Sequence, residues 1–112
     1  MRRPPVNILA WLGPAIGPQA FEVGADVLAA HCDSDPDAAR CFVPHRHGKW
    51  LADLGALARR RLTRAGLASI YGGARCTFSE PGAFYSYRRD GARAGRMATL
   101  IWIAPLEAAQ AR

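Results

Sequence analysis

The chain has 112 residues, room for one domain and no more, and half of them are hydrophobic, which excludes a disordered chain. The formal charge of +6 comes almost wholly from arginine, Lys49 being the only lysine. A pI near 10.0 would suit a nucleic-acid binder, but the arginines are scattered and form no recognition module, so no nucleic-acid partner is expected.

Three cysteines, Cys32, Cys41 and Cys76, are odd in number and not closely spaced, which argues for free thiols and a reducing compartment. Met1-Arg2-Arg3 ahead of Ile8–Leu12 mimics the start of a signal peptide, yet Pro4, Pro5, Gly13 and Pro14 break a run that is already too short. No stretch reaches the roughly 18 apolar residues of a membrane span, so no membrane partner is expected and the cytoplasm is the default location.

Val6–Leu12 lacks alternation and is stopped by Gly13-Pro14, the pattern of a strand buried on both faces. Gly13, Pro14, Gly17 and Pro18 then restrict a loop to few backbone conformations. From Phe21 to His31 the spacing of Val23, Val27 and Ala30 predicts a helix, followed by an acidic loop over Asp33–Asp37. Phe42-Val43 and Trp50-Leu51 read as short extended pieces.

Asp53 is placed to cap a helix over Leu54–Ala65, with Gly66 just beyond its end. Leu54, Leu57, Ala58, Leu62 and Ala65 form its apolar face; Arg59, Arg60 and Arg64 point to solvent, and Arg61 keeps its head in water from within the apolar arc. Ala68–Tyr71 is a strand closed by Gly72-Gly73, and Glu80-Pro-Gly82 is a turn. Phe84–Tyr87 is extended or a short turn. Met97–Ile103 is a second strand buried on both faces, and the alanine-rich tail after Pro105 is frayed.

Three constellations could carry chemistry. Cys32, Cys41, His45 and His47 are residue types that zinc prefers, but their spacing is poor, and Arg40, Arg46 and Lys49 oppose a cation, so no metal ligand is assigned. Arg88, Arg89 and Asp90, with Arg93 and Arg96 beyond, are the edge of a phosphate or nucleoside pocket or else a salt-bridge knot that ties the loop down. The backbone of Gly13, Pro14, Ile16 and Gly17 lines a pocket or serves rigidity alone; without a Gly-Lys-Ser/Thr ending the loop is not a P-loop. His31, His45 and His47 crowd one stretch without a flagged nucleophile, so no catalytic residue is assigned.

Leu12–Pro18 followed by Phe21–Gly24, Trp50–Leu54 with Arg59, Arg75-Cys-Thr77, Ser86–Asp90, and Gly95-Arg-Met-Ala98 before an apolar strand all occur in order. In this the chain resembles the C-terminal half of the bacterial YfiH (PgeF) family, also called laccase-domain or multicopper polyphenol oxidoreductases. The resemblance implies phosphorolysis of adenosine, inosine or methylthioadenosine, a deaminase side activity, and a link to peptidoglycan precursor editing. It also implies a zinc or copper ion held by two histidines and a cysteine. The contexts of those ligands, Gln-Val-His, Ala-Asp-Cys and His-Ala-Gly-Trp-Arg-Gly, do not occur here.

The expected fold is therefore α+β, layered in the α/β manner, with a mixed sheet and packed helices, and forms the C-terminal part of a larger domain. Two strands apolar on both faces need cover above and below, which two short helices hardly supply. A fragment, a split gene or a misplaced start is expected, with the N-terminal half as partner in cis or in trans and no metal bound by this chain alone. The alternatives are a non-catalytic remnant or interaction module and, third, a small basic nucleic-acid binder.

Overall fold

The structure, a computed structural model, describes residues 4–105; Met1–Arg3 and the alanine-rich tail lie outside the described residues. In chain order the elements are β1 (Leu9–Leu12), β2 (Glu22–Gly24), α1 (Ala25–Cys32), β3 (Phe42–Pro44), β4 (Lys49–Ala52), α2 (Leu54–Arg64), β5 (Ser69–Gly72) and α3 (Tyr87–Asp90). Short 3-10 segments cover Pro5–Asn7, Pro36–Cys41 and Gly91–Arg93. The class is mixed α+β: β2, β4 and β3 form an antiparallel sheet in that order, and β1 pairs in parallel with β5.

α2 follows its local signals. The Asp53 carboxylate accepts a hydrogen bond from the Ala56 N–H at 2.9 Å, satisfying one of the donors that a helix N-terminus leaves open. Leu57 is the residue that α2 buries. It joins Val23, Ala38, Cys41, Phe42 and Ala52 in a small core between the antiparallel sheet and the helices, with Val27, Leu28 and Trp50 packed around it.

Five expectations need correction. The helix does not begin at Phe21: Glu22, Val23 and Gly24 lie opposite Leu51, Trp50 and Lys49 in a ladder, and α1 starts only at Ala25. β-branched Val23 gains burial in the sheet, and Gly24 is a poor helix former.

β1 is not covered on both faces: Leu9 and Trp11 are 66% and 57% exposed, because among the described residues no layer lies over the side they face, while β5 pairs with its edge. Val6 belongs to the 3-10 segment and is exposed. Met97–Ile103 joins no ladder, and Leu100–Ile103 are each more than three-quarters exposed. Apolar composition marks a segment that needs cover; pairing requires a neighbouring strand, and none lies beside it among the described residues.

Arg59 and Arg60 do not project into solvent. Arg59 donates to the Ile70 carbonyl at 3.0 Å and to the Gly72 carbonyl, tying α2 to β5. Arg60 forks onto Asp35 at 2.8 Å through both contacts, and Arg64 reaches the same carboxylate at 3.5 Å. Those acceptors come from other elements, which a helical stripe does not reveal. Finally, the Asp33–Asp37 loop passes at Pro36 into a 3-10 segment rather than running on irregularly.

The accessible surface is 8579 Å², where a compact monomer of this mass would expose roughly 6000 Å². The excess is comparable with the area that large obligate interfaces bury.

Candidate functional site

The Gly13–Pro18 loop is stapled to the segment that follows β5. Ala15 and Cys76 form a parallel bridge, with the Thr77 N–H donating to the Ala15 carbonyl at 2.9 Å. The Gly17 N–H points at the Cys76 sulfur at 3.1 Å. A Cβ on Gly17 would lie 3.1 Å from the Cys76 Cβ, so glycine permits this close approach. Glu80 completes the turn by accepting from the Cys76 N–H at 3.0 Å and from Arg75 at 2.8 Å, and the Arg75 guanidinium lies 5.0 Å from the Phe84 ring centre.

A cavity of about 230 Å³ opens between this loop, the start of α2 and the end of β5. Leu12, Ala15, Ile16, Leu54 and Ala58 supply apolar walls. Gly13, Gly17, Gly55 and Gly73 present backbone to it, and Asp53 and Arg75 bring charge. Of the residues singled out in the sequence, Gly13, Ile16 and Gly17 therefore line the cavity, and Pro14 is not among its lining residues. Asp53, Gly55, Ala58 and Arg75 had no assigned site role. Asp53 read only as a cap, although a cap beside a glycine loop also places a carboxylate at the helix mouth.

Arg88, Arg89 and Asp90 are not brought to that cavity. Arg89 donates through Nη1 to the carbonyls of Thr77 and Phe78 at 2.9 and 3.2 Å, and through Nη2 to that of Phe84 at 3.0 Å. Asp90 holds the same guanidinium at 2.9 Å. Arg88 donates to the Glu22 carbonyl at 2.8 Å and lies 5.2 Å from the Phe21 ring centre. The Ser86 hydroxyl accepts from the Arg89 N–H at 3.2 Å and caps α3, which aims both arginines. The cluster thus braces the 77–84 strip, whose first residues hold the glycine loop.

The cysteines and histidines go separate ways. His31 packs its ring 5.9 Å from that of Phe42, and His45 sits 3.5 Å from Glu22, which Arg46 grips at 2.7 Å. Among the described residues no three His, Cys, Asp or Glu side chains converge in a way that could hold a metal ion, so the zinc or copper expected of the family does not fit residues present here.

Burial pushes the Cys41 thiol up. Burial also pushes Cys76 up, but hydrogen bonds with the Ser79 hydroxyl and with the backbone of Gly17, Ser79 and Phe78 outweigh it and bring that thiol below its ordinary value. Cys76 therefore lies below the ordinary thiol value and Cys41 above it.

The sequence pattern of the multi-copper polyphenol oxidoreductase laccase family matches residues 1–104. A purine nucleoside phosphorylase of Xylella fastidiosa is 57% identical over 105 residues, covering 92% of this chain and 40% of the relative. Purine nucleoside phosphorylase YfiH of Escherichia coli is 54% identical over 99 residues, again at 40% of its length. Among solved structures, a Neisseria meningitidis protein superposes with a TM-score of 0.78 at 53% identity, over 82% of this chain and 38% of the other. A Bacillus licheniformis YfiH protein gives 0.74 at 28% identity, over 79% and 34%.

The chain therefore belongs to the laccase-type polyphenol oxidoreductase, or YfiH, family, and it spans about 40% of the length of the curated relatives it matches. Among the described residues no helix is long and apolar enough to cross a membrane.

Proposed function

We propose that this chain supplies the C-terminal part of a metal-dependent purine nucleoside phosphorylase and acts together with a portion that carries the metal ligands. The observation that carries this reading is the 57% identity over 105 residues with a relative named a purine nucleoside phosphorylase. In the reaction a phosphate oxygen attacks the ribose C1′, the glycosidic bond breaks, and its electron pair leaves with the base, which takes up a proton. The substrates are purine nucleosides, with adenosine, inosine and methylthioadenosine as candidates and deamination of adenosine as a side activity.

This chain's share is binding and positioning: the cavity under the Gly13–Pro18 loop holds part of the substrate, and the Arg88–Asp90 knot keeps that loop in place. Zinc or copper would be held by the complementary portion, and the cytoplasm is the proposed location. The test is elemental analysis with a ribose 1-phosphate assay on the chain alone and on the chain joined to the relatives' upstream portion, in cis or as a second polypeptide. The expected result is neither metal nor product from the chain alone and both from the joined form. Metal bound through Cys32, Cys41 and His45, or a joined form without phosphorolysis, would overturn it.

A second reading, a non-catalytic interaction module, draws on the exposed apolar residues Leu9, Trp11, Leu100, Ile101 and Trp102. It requires a joined form that assembles but yields no product.

A further inference from the structure

We infer that the cavity beneath the Gly13–Pro18 loop takes the purine base itself, rather than the sugar or the phosphate, with Asp53 as its hydrogen-bonding residue. The choice of a purine among heterocycles rests on the nucleoside reading above; the choice of a flat ring over an anion or a sugar rests on the cavity.

Size is the first constraint. At about 230 Å³ the space falls below the roughly 300–1,000 Å³ of pockets that enclose whole drug-sized ligands, so it holds a ring system and not a nucleoside with its phosphate. Shape is the second. Leu12, Ile16, Leu54 and Ala58 give apolar walls, and Gly17 and Gly55 add no side chain to them. A ribose would bring several hydroxyls against these walls with few partners, and an unpaired buried hydroxyl is costly. A heterocycle covers the walls with its faces and keeps its polar atoms at the edge.

Charge is the third. Arg75 is occupied by Glu80, its Nε and Nη2 both lying on one carboxylate oxygen at 2.8 and 2.7 Å, so that pair cancels; Asp53 brings a negative charge to the helix end of the cavity, and the Arg59 guanidinium, which donates to the Gly72 carbonyl, stands at the opposite, Gly73 edge. A phosphate dianion beside Asp53 is repelled by its carboxylate, which disfavours phosphate at the helix end of the cavity. Asp53 spends Oδ1 on the Ala56 N–H, while Oδ2 has no hydrogen-bond partner among the described residues. An ionised carboxylate only accepts, so the ligand must donate: N1–H of hypoxanthine or the 6-amino group of adenine does so. Asp53 is thus a specificity residue as well as a cap.

The test is saturation-transfer NMR and titration calorimetry on the 112-residue chain with hypoxanthine, adenine, ribose 1-phosphate and inorganic phosphate. Both bases should bind and compete with each other, and neither phosphate compound should displace them. Asp53→Asn keeps an Oδ1 acceptor for α2 and should leave the melting temperature within a few degrees while weakening base binding at least about tenfold, the scale of a lost charged hydrogen bond. Ala58→Phe should abolish binding by filling the space. Displacement of the base by phosphate, unchanged affinity in both variants, or no binding of either base would overturn the assignment. If the joined enzyme makes no ribose 1-phosphate while bases still bind through Asp53, the enzymatic reading falls and the cavity assignment stands. If the joined enzyme turns over with an unchanged KM in Asp53→Asn, the cavity assignment falls alone.

Discussion

Replacing Arg89 with alanine separates a brace from a substrate contact. Its guanidinium reaches three backbone carbonyls, those of Thr77, Phe78 and Phe84, and its side chain is 19% exposed. A hydrogen bond from a charged donor contributes about 1.5–3 kcal/mol, but two of these contacts share one nitrogen and the released carbonyls regain some water, so the expected loss is about 2–4 kcal/mol. The Asp90 contact is exposed and adds less than about 1 kcal/mol. Arg89→Lys should recover less than half, because an ammonium cannot span the fork that the guanidinium fills. Urea denaturation measures the loss, and hydrogen exchange should locate it between Thr77 and Tyr87. A loss below about 0.5 kcal/mol, the range of ordinary surface substitutions, together with weaker nucleoside or phosphate binding would refute the brace and return Arg89 to the pocket edge.

Leu57→Ala, at a residue 4% exposed in a core of six buried side chains, should cost about 2–4 kcal/mol; a smaller loss in denaturant titration would mean that the antiparallel sheet does not organise the core. Alkylation followed residue by residue should modify Cys76 first and Cys41 last, with Cys76 titrating below an ordinary thiol; the reverse order would deny the Gly17 and Ser79 contacts. Glu22, Asp35 and Glu80 lie below the usual carboxylate range because Arg46, Arg60 and Arg75 hydrogen-bond them. Depressed carboxyls stabilise the fold fully above their unfolded pKa and lose that contribution as pH falls through the folded one. Thermal stability should therefore hold near pH 5 and decline below about pH 4, less so at high salt; a melting temperature flat from pH 5 to 3 would contradict these pairs. The uncovered residues around Leu9, Trp11 and Leu100–Ile103 should drive self-association or dye binding that joining the relatives' upstream portion should suppress, and a sharply melting monomer without dye binding would exclude this.

What the sequence determined by itself was local. The α2 boundaries follow from the Asp53 cap and the spacing of Leu57 within an apolar stripe, and β5 ends at Gly72-Gly73, both at positive φ that glycine adopts freely. The family, too, was legible, because its motifs are contiguous runs. Tertiary structure alone decided the rest. Glu22–Gly24 became a strand because β4 offered it a ladder, and Met97–Ile103 stayed unpaired because no neighbouring strand among the described residues did.

The arginines were the least legible, since a guanidinium at the end of a long stem takes whatever acceptor the fold delivers: Arg88 finds a carbonyl 66 positions away, and Arg60 a carboxylate 25 positions away. The cavity likewise joins a loop, a helix cap and a strand end whose meeting no local pattern encodes. Local conformational preferences are written residue by residue, whereas partners for edges, charges and cavities exist only once distant segments have met.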